Sequence, residues 1–393
     1  MRKIVSNQIS PNLFLSDWFY AGWKTLLGKQ CAKENFEQFF RTKNFFLCNT
    51  ARSALWKICE LAEIPKNKKI GIPAFICAVV ATPFLDQSYE IEWIDTNENG
   101  LICPKDLAKK IKNLGAVVVP HIFGQPANIQ AIKTLCTPQN ILVIEDCAHH
   151  FNPKEPIIAD VRIASFGREK VYSCVSGGAV FWQEESRIAA KLKNLTLKKS
   201  SQKWERQHWM QIFWYGLALP WWNWGGKIIP HIAKKLNWLP LAVSKNEKNG
   251  TFEHPLTQMG TKQKWVLWRQ FSQSKIKTIH NQIIAQEWKK LLSQFFPSEN
   301  IIIPDDCFRV ILKCDHQTQQ KIITTAQKHK YYLRDWDGQP IAPAGTNLQA
   351  LNYEQKNCPK AEKFSQSYVT FPTNLRTSKK QVQNFKKVLV QIY

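Results

Sequence analysis

Two groups in the first half of the chain have the types and spacing for joint chemistry. Asp146 ends the apolar run Ile141-Leu-Val-Ile-Glu145, so a carboxylate stands at the end of an expected buried strand. Lys170 follows a second such run, Val161-Arg-Ile-Ala-Ser165-Phe166-Gly-Arg168-Glu, and Gly177-Gly178-Ala-Val-Phe181 then returns as a third apolar strand. A buried Asp and, one short strand later, a Lys suit pyridoxal 5'-phosphate. That cofactor needs an anion at its pyridinium nitrogen and an amine to hold its aldehyde. The amine must be neutral to serve, and burial would lower its pKa. The competing reading of Asp146 is a local cap, and that of Lys170 is one more solvated lysine.

A third element lies upstream. The apolar run Phe45-Phe-Leu-Cys ends at Asn49, and Thr50 to about Ala62 has helical spacing. A strand that feeds Thr50 and Ala51 into a helix N-terminus makes an anion cradle, because the first amides are unpaired and the helix dipole is positive there. A plain N-cap by Asn49 or Thr50 is the simpler reading of the same residues.

The elements that must position these groups follow in order. Strands are expected at Lys69–Pro73, Glu90–Asp95, Ala116–Pro120 and Ile141–Asp146, with helices at Pro104–Lys112 and Ala127–Cys136. Short β-branched runs that alternate with helices predict an α/β fold with a mostly parallel sheet covered on both faces. Ligands in such sheets sit beyond the C-terminal strand ends, and Asn49, Pro73, Pro120, Asp146 and Ser165 all fall at such ends.

Order and spacing here resemble the DegT/DnrJ/StrS family of PLP-dependent sugar aminotransferases. Its Glu-Asp-x-Ala-Gln/His, Ser-Phe-x-x-x-Lys and Gly-Gly-Ala elements are matched by Glu145-Asp146-Cys147-Ala148-His149, by Ser165-Phe166 with Lys170, and by Gly177-Gly178-Ala179. Pro73-Ala-Phe75-Ile-Cys77, Pro120-His121-Ile-Phe-Gly124 and Cys358-Pro359-Lys-Ala361-Glu362 extend the match. The resemblance implies a fold type I transferase with a large PLP-binding domain and a smaller C-terminal α+β domain. It assigns Lys170 to catalysis and to the cofactor aldehyde, Asp146 to the ring nitrogen and His149 to the ring or its 3′ oxygen. It assigns Thr50, Ala51 and Ser165 to the phosphate. Arg168 is a further candidate for the phosphate or the substrate. The implied reaction moves an amino group from an amino acid such as glutamate to a keto sugar, in polysaccharide or glycan assembly, within a homodimer.

This sequence departs from the pattern in places. Cys77 stands where many members carry an aromatic that stacks on the pyridine ring, and Phe75 is the candidate replacement. Asn249 is the candidate for the Asn that reaches the partner's phosphate. These departures leave two rivals open: another PLP reaction such as dehydration or isomerisation, and a non-catalytic, membrane-associated regulatory member of the fold.

The chain has 393 residues and a formal net charge of +24, with 44% hydrophobic residues. Its length allows two packed domains, and its charge calls for an anionic partner or a lysine-rich solvated surface. The expected division is a helical arm over 1–44, a large domain over 45–250 and a small domain over 251–393. The eleven Cys are scattered without a C-x-x-C pair, which points to reduced thiols in the cytoplasm and to no metal site. No signal peptide is expected at the N-terminus. Nine of the sixteen Trp lie between Trp204 and Trp268, and no charged residue interrupts the stretch between Arg206 and Lys227. This Trp-rich insertion at about 204–240 is too broken by polar residues, Pro and Gly to span a bilayer. It suits either peripheral contact with an anionic membrane or a buried subunit interface. No nucleic-acid motif is present.

Overall fold

The computed structural model describes residues 4–6, 12–333 and 338–393. Seven strands form the main sheet: β1 (Phe45–Cys48), β2 (Lys69–Pro73), β3 (Ile91–Ile94), β4 (Leu114–Pro120), β5 (Leu142–Asp146), β6 (Val161–Ser165) and β7 (Gly178–Trp182). Their order is β1-β7-β6-β5-β4-β2-β3. β7 runs antiparallel to both neighbours, and every other pair is parallel.

The apolar runs explain why this sheet is buried on both faces. Side chains alternate along a strand. Ala116 and Val118 of β4 therefore join a core with Leu142, Ile144 and the helix Ala51–Ala62, while Val117 and Val119 join a second core with Val143 and the helix Ile129–Cys136. A third core is rich in aromatics and packs Phe36, Phe40, Phe45, Phe166, Phe181 and Phe271.

The smaller sheet is antiparallel and joins Ile301–Ile302, Arg309–Lys313 and Tyr368–Pro372. The helix pattern expected over Trp265–Trp288 is two helices, Thr261–Ser272 and Ser274–Leu292, which meet at the non-helical Gln273. The reason is a change of partner. Trp265, Val266 and Phe271 pack in the aromatic core beside β1 and β7, whereas Ile284, Ala285 and Trp288 pack in the small-sheet core. The N-terminal arm is helical at Leu15–Leu26 and Lys33–Phe40, but Val5–Ser6 pairs in parallel with Tyr331–Tyr332 and Val5 enters the small-sheet core.

The Trp-rich insertion folds as the helix Gln202–Ala218, a 3-10 turn Leu219–Trp224 and the helix Ile228–Lys235. Among the described residues, no helix is long and apolar enough to cross a membrane.

Candidate active site

The sheet register brings the expected groups to one edge. Asp146 ends β5, with Pro120 of β4 on one side and Ile163 of β6 on the other. Ser165 ends β6 opposite Gly178, and Gly178 in turn faces Cys48 at the end of β1. The antiparallel β7 thus begins where its neighbours end. Phe166 and Gly177 close the loop between them through the Phe166 N–H to Gly177 carbonyl bond of 2.8 Å. Lys170 rides on this loop and is half-buried.

Lys170 lies in the electrostatic field of Asp146, Cys77 and Arg309. Burial lowers its pKa, and the Asp146 carboxylate opposes that shift. Asp146 is buried and its pKa is raised by the loss of water, while the Ala148 N–H donates to its Oδ1 at 2.9 Å and the Lys170 charge pulls it back. The local-cap reading of Asp146 is therefore fulfilled by one oxygen, and the carboxylate also feels the Lys170 charge.

The helix Ala51–Ala62 starts beside this pair. Thr50 caps it, accepting from the Ser53 N–H at 3.1 Å and sharing a hydrogen bond with the Ser53 hydroxyl at 2.5 Å. The first amides of the helix have no acceptor within it. Gly178 makes room for them: a Cβ there would lie 2.7 Å from the Ala51 nitrogen. Among the described residues, the Ser165 hydroxyl makes no hydrogen bond. Arg52, one residue into the helix, pairs with the buried carboxylate of Glu247 and donates to the Ala242 carbonyl at 2.6 Å, which ties the end of the Trp-rich insertion to the cradle.

His149 is buried and stacks on Phe123, with ring centroids 5.7 Å apart. Its Nδ1 accepts the Phe123 N–H at 3.3 Å. Burial and the Lys170 and Arg309 charges hold its pKa well below the usual value, so the ring is neutral and its proton sits on Nε2. Behind this layer, Glu145 is fixed by Arg162, whose Nε donates at 2.7 Å, and by His121 Nε2 at 3.0 Å.

Two expectations are corrected. Phe75 does not replace the stacking aromatic: it is fully buried, edge-on to Phe123, Phe364 and Tyr368 at 5.0–5.8 Å. Cys77 is half-buried and lies in the electrostatic field of Arg52 and Lys170. Arg168 does not turn to the cradle. It donates to the Tyr215 hydroxyl at 3.1 Å and to Glu169 at 2.8 Å, holding the Trp-rich helix against the Lys170 loop. Asn249 is exposed, and its side chain donates to the Lys245 carbonyl of its own helix at 3.1 Å.

Arg309 is a site residue that sequence reading missed. It opens the strand Arg309–Lys313, is 4% exposed, and its guanidinium lies over Phe308 and Phe123 at 4.8 and 5.3 Å, both rings in contact with His149. Among the described residues it has no carboxylate partner, and its Nε has no acceptor. The one signal in the sequence was a charge at the head of an apolar strand.

These residues fit pyridoxal phosphate. A buried carboxylate, a half-buried amine of lowered pKa and a helix N-terminus kept open by a glycine match the three polar ends of that molecule.

Comparisons with known proteins bear on the fold and the family. The putative sugar aminotransferase Spr1654 from Streptococcus pneumoniae, in its PMP form, superposes with a TM-score of 0.73 over 100% of this chain and 98% of its own, at 13% identity. Helicobacter pylori PseC, an aminotransferase involved in the biosynthesis of pseudoaminic acid, gives 0.72 over 99% of each chain at 14% identity. At such identity the likeness shows the fold. By sequence, GDP-perosamine synthase of Vibrio cholerae is 26% identical over 219 residues, covering 52% of this chain and 58% of that protein. A UDP-4-amino-4,6-dideoxy-N-acetyl-beta-L-altrosamine transaminase of Campylobacter jejuni is 28% identical over 167 residues, covering 40% and 44%. The chain therefore spans at most a little over half the length of these curated relatives. The sequence model of the DegT/DnrJ/EryC1/StrS aminotransferase family matches residues 15–219, from the first arm helix through the Lys170 loop into the Trp-rich helix. This chain belongs to the DegT/DnrJ/EryC1/StrS aminotransferase family.

Proposed function

We propose that the chain is a pyridoxal phosphate-dependent aminotransferase that moves an amino group from a glutamate-like amino acid to a keto sugar, nucleotide- or lipid-linked, in surface polysaccharide or glycan biosynthesis. One observation carries the reading: Asp146 and Lys170 act on each other's charge at the C-terminal edge of the sheet, by the N-terminus of the helix Ala51–Ala62. Pyridoxal phosphate, when bound, supplies the electron sink for breaking bonds at the substrate carbon. Thr50, the Ala51 amide and the Ser165 hydroxyl bind the phosphate. Asp146 keeps a proton on the ring nitrogen. Lys170, whose pKa burial lowers, would move the proton between the substrate carbon and the cofactor's aldehyde carbon. His149 Nε2 donates toward the ring's 3′ oxygen.

Arg309 supports an anionic substrate. Burying this guanidinium costs solvation that, among the described residues, only the Glu169 charge and not a bonded carboxylate offsets, and a substrate carboxylate beside it would lower that cost. The names of the relatives, a GDP-sugar synthase and a UDP-sugar transaminase, support a sugar acceptor. The eleven cysteines are all free, which supports a reducing, cytoplasmic setting. A homodimer is part of this reading, as the family resemblance implies, and light scattering tests it.

The deciding experiment is the visible spectrum of the protein with added PLP, followed by borohydride reduction and peptide mapping. A band at about 410–430 nm, absent in Lys170→Ala, with the cofactor fixed to Lys170, is expected. Amino transfer from glutamate to keto sugars should be lost in the same variant. A wild-type protein without the band, or a band unchanged in Lys170→Ala, overturns the proposal.

A further inference from the structure

The Trp-rich insertion and the first arm helix pack together and leave large apolar groups exposed to solvent. The helix Leu15–Leu26 lies on the helix Gln202–Ala218 at close range. A Cβ on Gly22 would be 2.9 Å from Trp209, one on Gly216 would be 2.5 Å from Leu15, and Trp18 stacks on Trp209 at 4.7 Å. What these helices turn outward is unusual. Phe19, Trp23 and Leu26 are exposed on the first; Trp221 and Trp224 are exposed on the 3-10 turn, Trp224 at 82%. The helix Ile228–Lys235 buries Pro230 and Ala233 and presents Ile228 and Ile232, with Leu236 one turn on, to solvent. A soluble surface rarely leaves so many large apolar groups together.

The charges around this face have one sign. No Asp or Glu occurs between Glu205 and Glu247, while Arg206, Lys227, Lys234, Lys235 and Lys245 do. Asp17, the one acid of the helix Leu15–Leu26, is buried and paired with Arg269 at 3.1 Å. A second copy of the chain set against this face would bring lysine onto lysine with no carboxylate between them, an unfavourable pairing. Tryptophan at the rim and lysine beside it match the boundary between lipid headgroups and acyl chains instead.

We propose that this face docks on the surface of an anionic lipid bilayer, with Trp23, Trp221, Trp224 and the Ile228-Ile232-Leu236 row seated at the acyl boundary and Lys227, Lys234 and Lys235 against lipid phosphates. Docking holds the sheet edge that carries Lys170 near the membrane, where a lipid-linked sugar would be presented.

The test is vesicle flotation of the full chain with phosphatidylcholine vesicles and with vesicles that also contain phosphatidylglycerol. Binding to the anionic vesicles at low salt, and its loss at high salt, is expected. Two surface variants, Trp221→Ser/Trp224→Ser and Lys234→Glu/Lys235→Glu, should each lower the bound fraction by roughly tenfold or more, with unchanged thermal melting. Light scattering of the same proteins reads the rival occupant. Wild-type protein that ignores anionic vesicles at low salt overturns the proposal. So does an unbound protein whose oligomer falls apart in Trp221→Ser/Trp224→Ser, which gives the face to a second copy. Variants that melt normally and bind as wild type overturn it as well.

Discussion

A Cβ placed on Gly178 would lie 2.7 Å from the backbone nitrogen of Ala51 and 3.0 Å from its Cα. The obstacle is backbone on a helix, so it cannot swing aside as a side chain would. Gly178→Ala should push the helix Ala51–Ala62 off the sheet edge and distort the phosphate cradle. The expected outcome is a loss of PLP affinity of about tenfold or more, read by titration of the visible band, with a fall in melting temperature. Gly28→Ala, at a glycine with nothing within 4 Å of the added atom, is not a suitable control because its φ is +65°; Gly167→Ala, whose nearest contact would be 3.7 Å, is the better one.

Arg309 yields a prediction with opposite signs for stability and function. Arg309→Met keeps length and removes a buried charge that has no carboxylate partner among the described residues. The cofactor-free variant should melt at or above the wild-type temperature, because burying the guanidinium costs solvation that no bonded carboxylate among the described residues offsets. Its KM for the amino acid donor should rise roughly 10²-fold, the scale of a buried ion pair to a substrate carboxylate. Equal melting and unchanged KM would remove Arg309 from substrate binding.

His150 joins the two sheets, with Nδ1 3.1 Å from Asp306 and Nε2 3.2 Å from Glu155. Burial would lower its pKa, but the hydrogen bonds to these two carboxylates outweigh it and raise it from 6.5 to about 10. The folded pKa is thus above the unfolded one. The stabilisation is fully present below about pH 6.5 and is lost as pH rises through about 10. The melting temperature should decline between neutral pH and pH 10 in the wild type, and that slope should flatten in His150→Gln.

Arg168 offers a test of the corrected assignment. Arg168→Met breaks charged hydrogen bonds to Tyr215 and Glu169, each worth about 1.5–3 kcal/mol at most in a site closed to water. Stability should fall and protease cleavage near the helix Gln202–Ala218 should speed up, while the PLP titration stays within about twofold of wild type. A large loss of PLP affinity without destabilisation would return Arg168 to the phosphate.

The strands β5, β6 and β7 and the ends that carry Asp146, Ser165 and Gly178 were legible in the sequence. Each is a short apolar run with its polar residue at the terminus, and local spacing alone sets which strand end it occupies. The family motif lies in this same stretch, so Lys170 could be picked out among many lysines. The direction of side chains in turns was not legible. Phe75 and Cys77 are two residues apart, and only packing decided that Phe75 joins the core with Phe123, Phe364 and Tyr368 while Cys77 lies in the electrostatic field of the amine. Arg168 likewise had two sides available, and the Tyr215 hydroxyl took it.

Long-range packing decided the rest. Arg309 comes from the second sheet, and nothing near it in sequence ties it to His149; the Phe123 and Phe308 rings do so only once both sheets are folded. The helix break at Gln273 follows from two cores competing for one apolar pattern. Ile228, Ile232 and Leu236 stand at helical spacing and share a face. The tertiary structure alone turned that face outward, because Pro230 and Ala233 are the residues small and compact enough to sit against the neighbouring helix. Sequence spacing sets which residues travel together; the closeness of other segments sets what they meet.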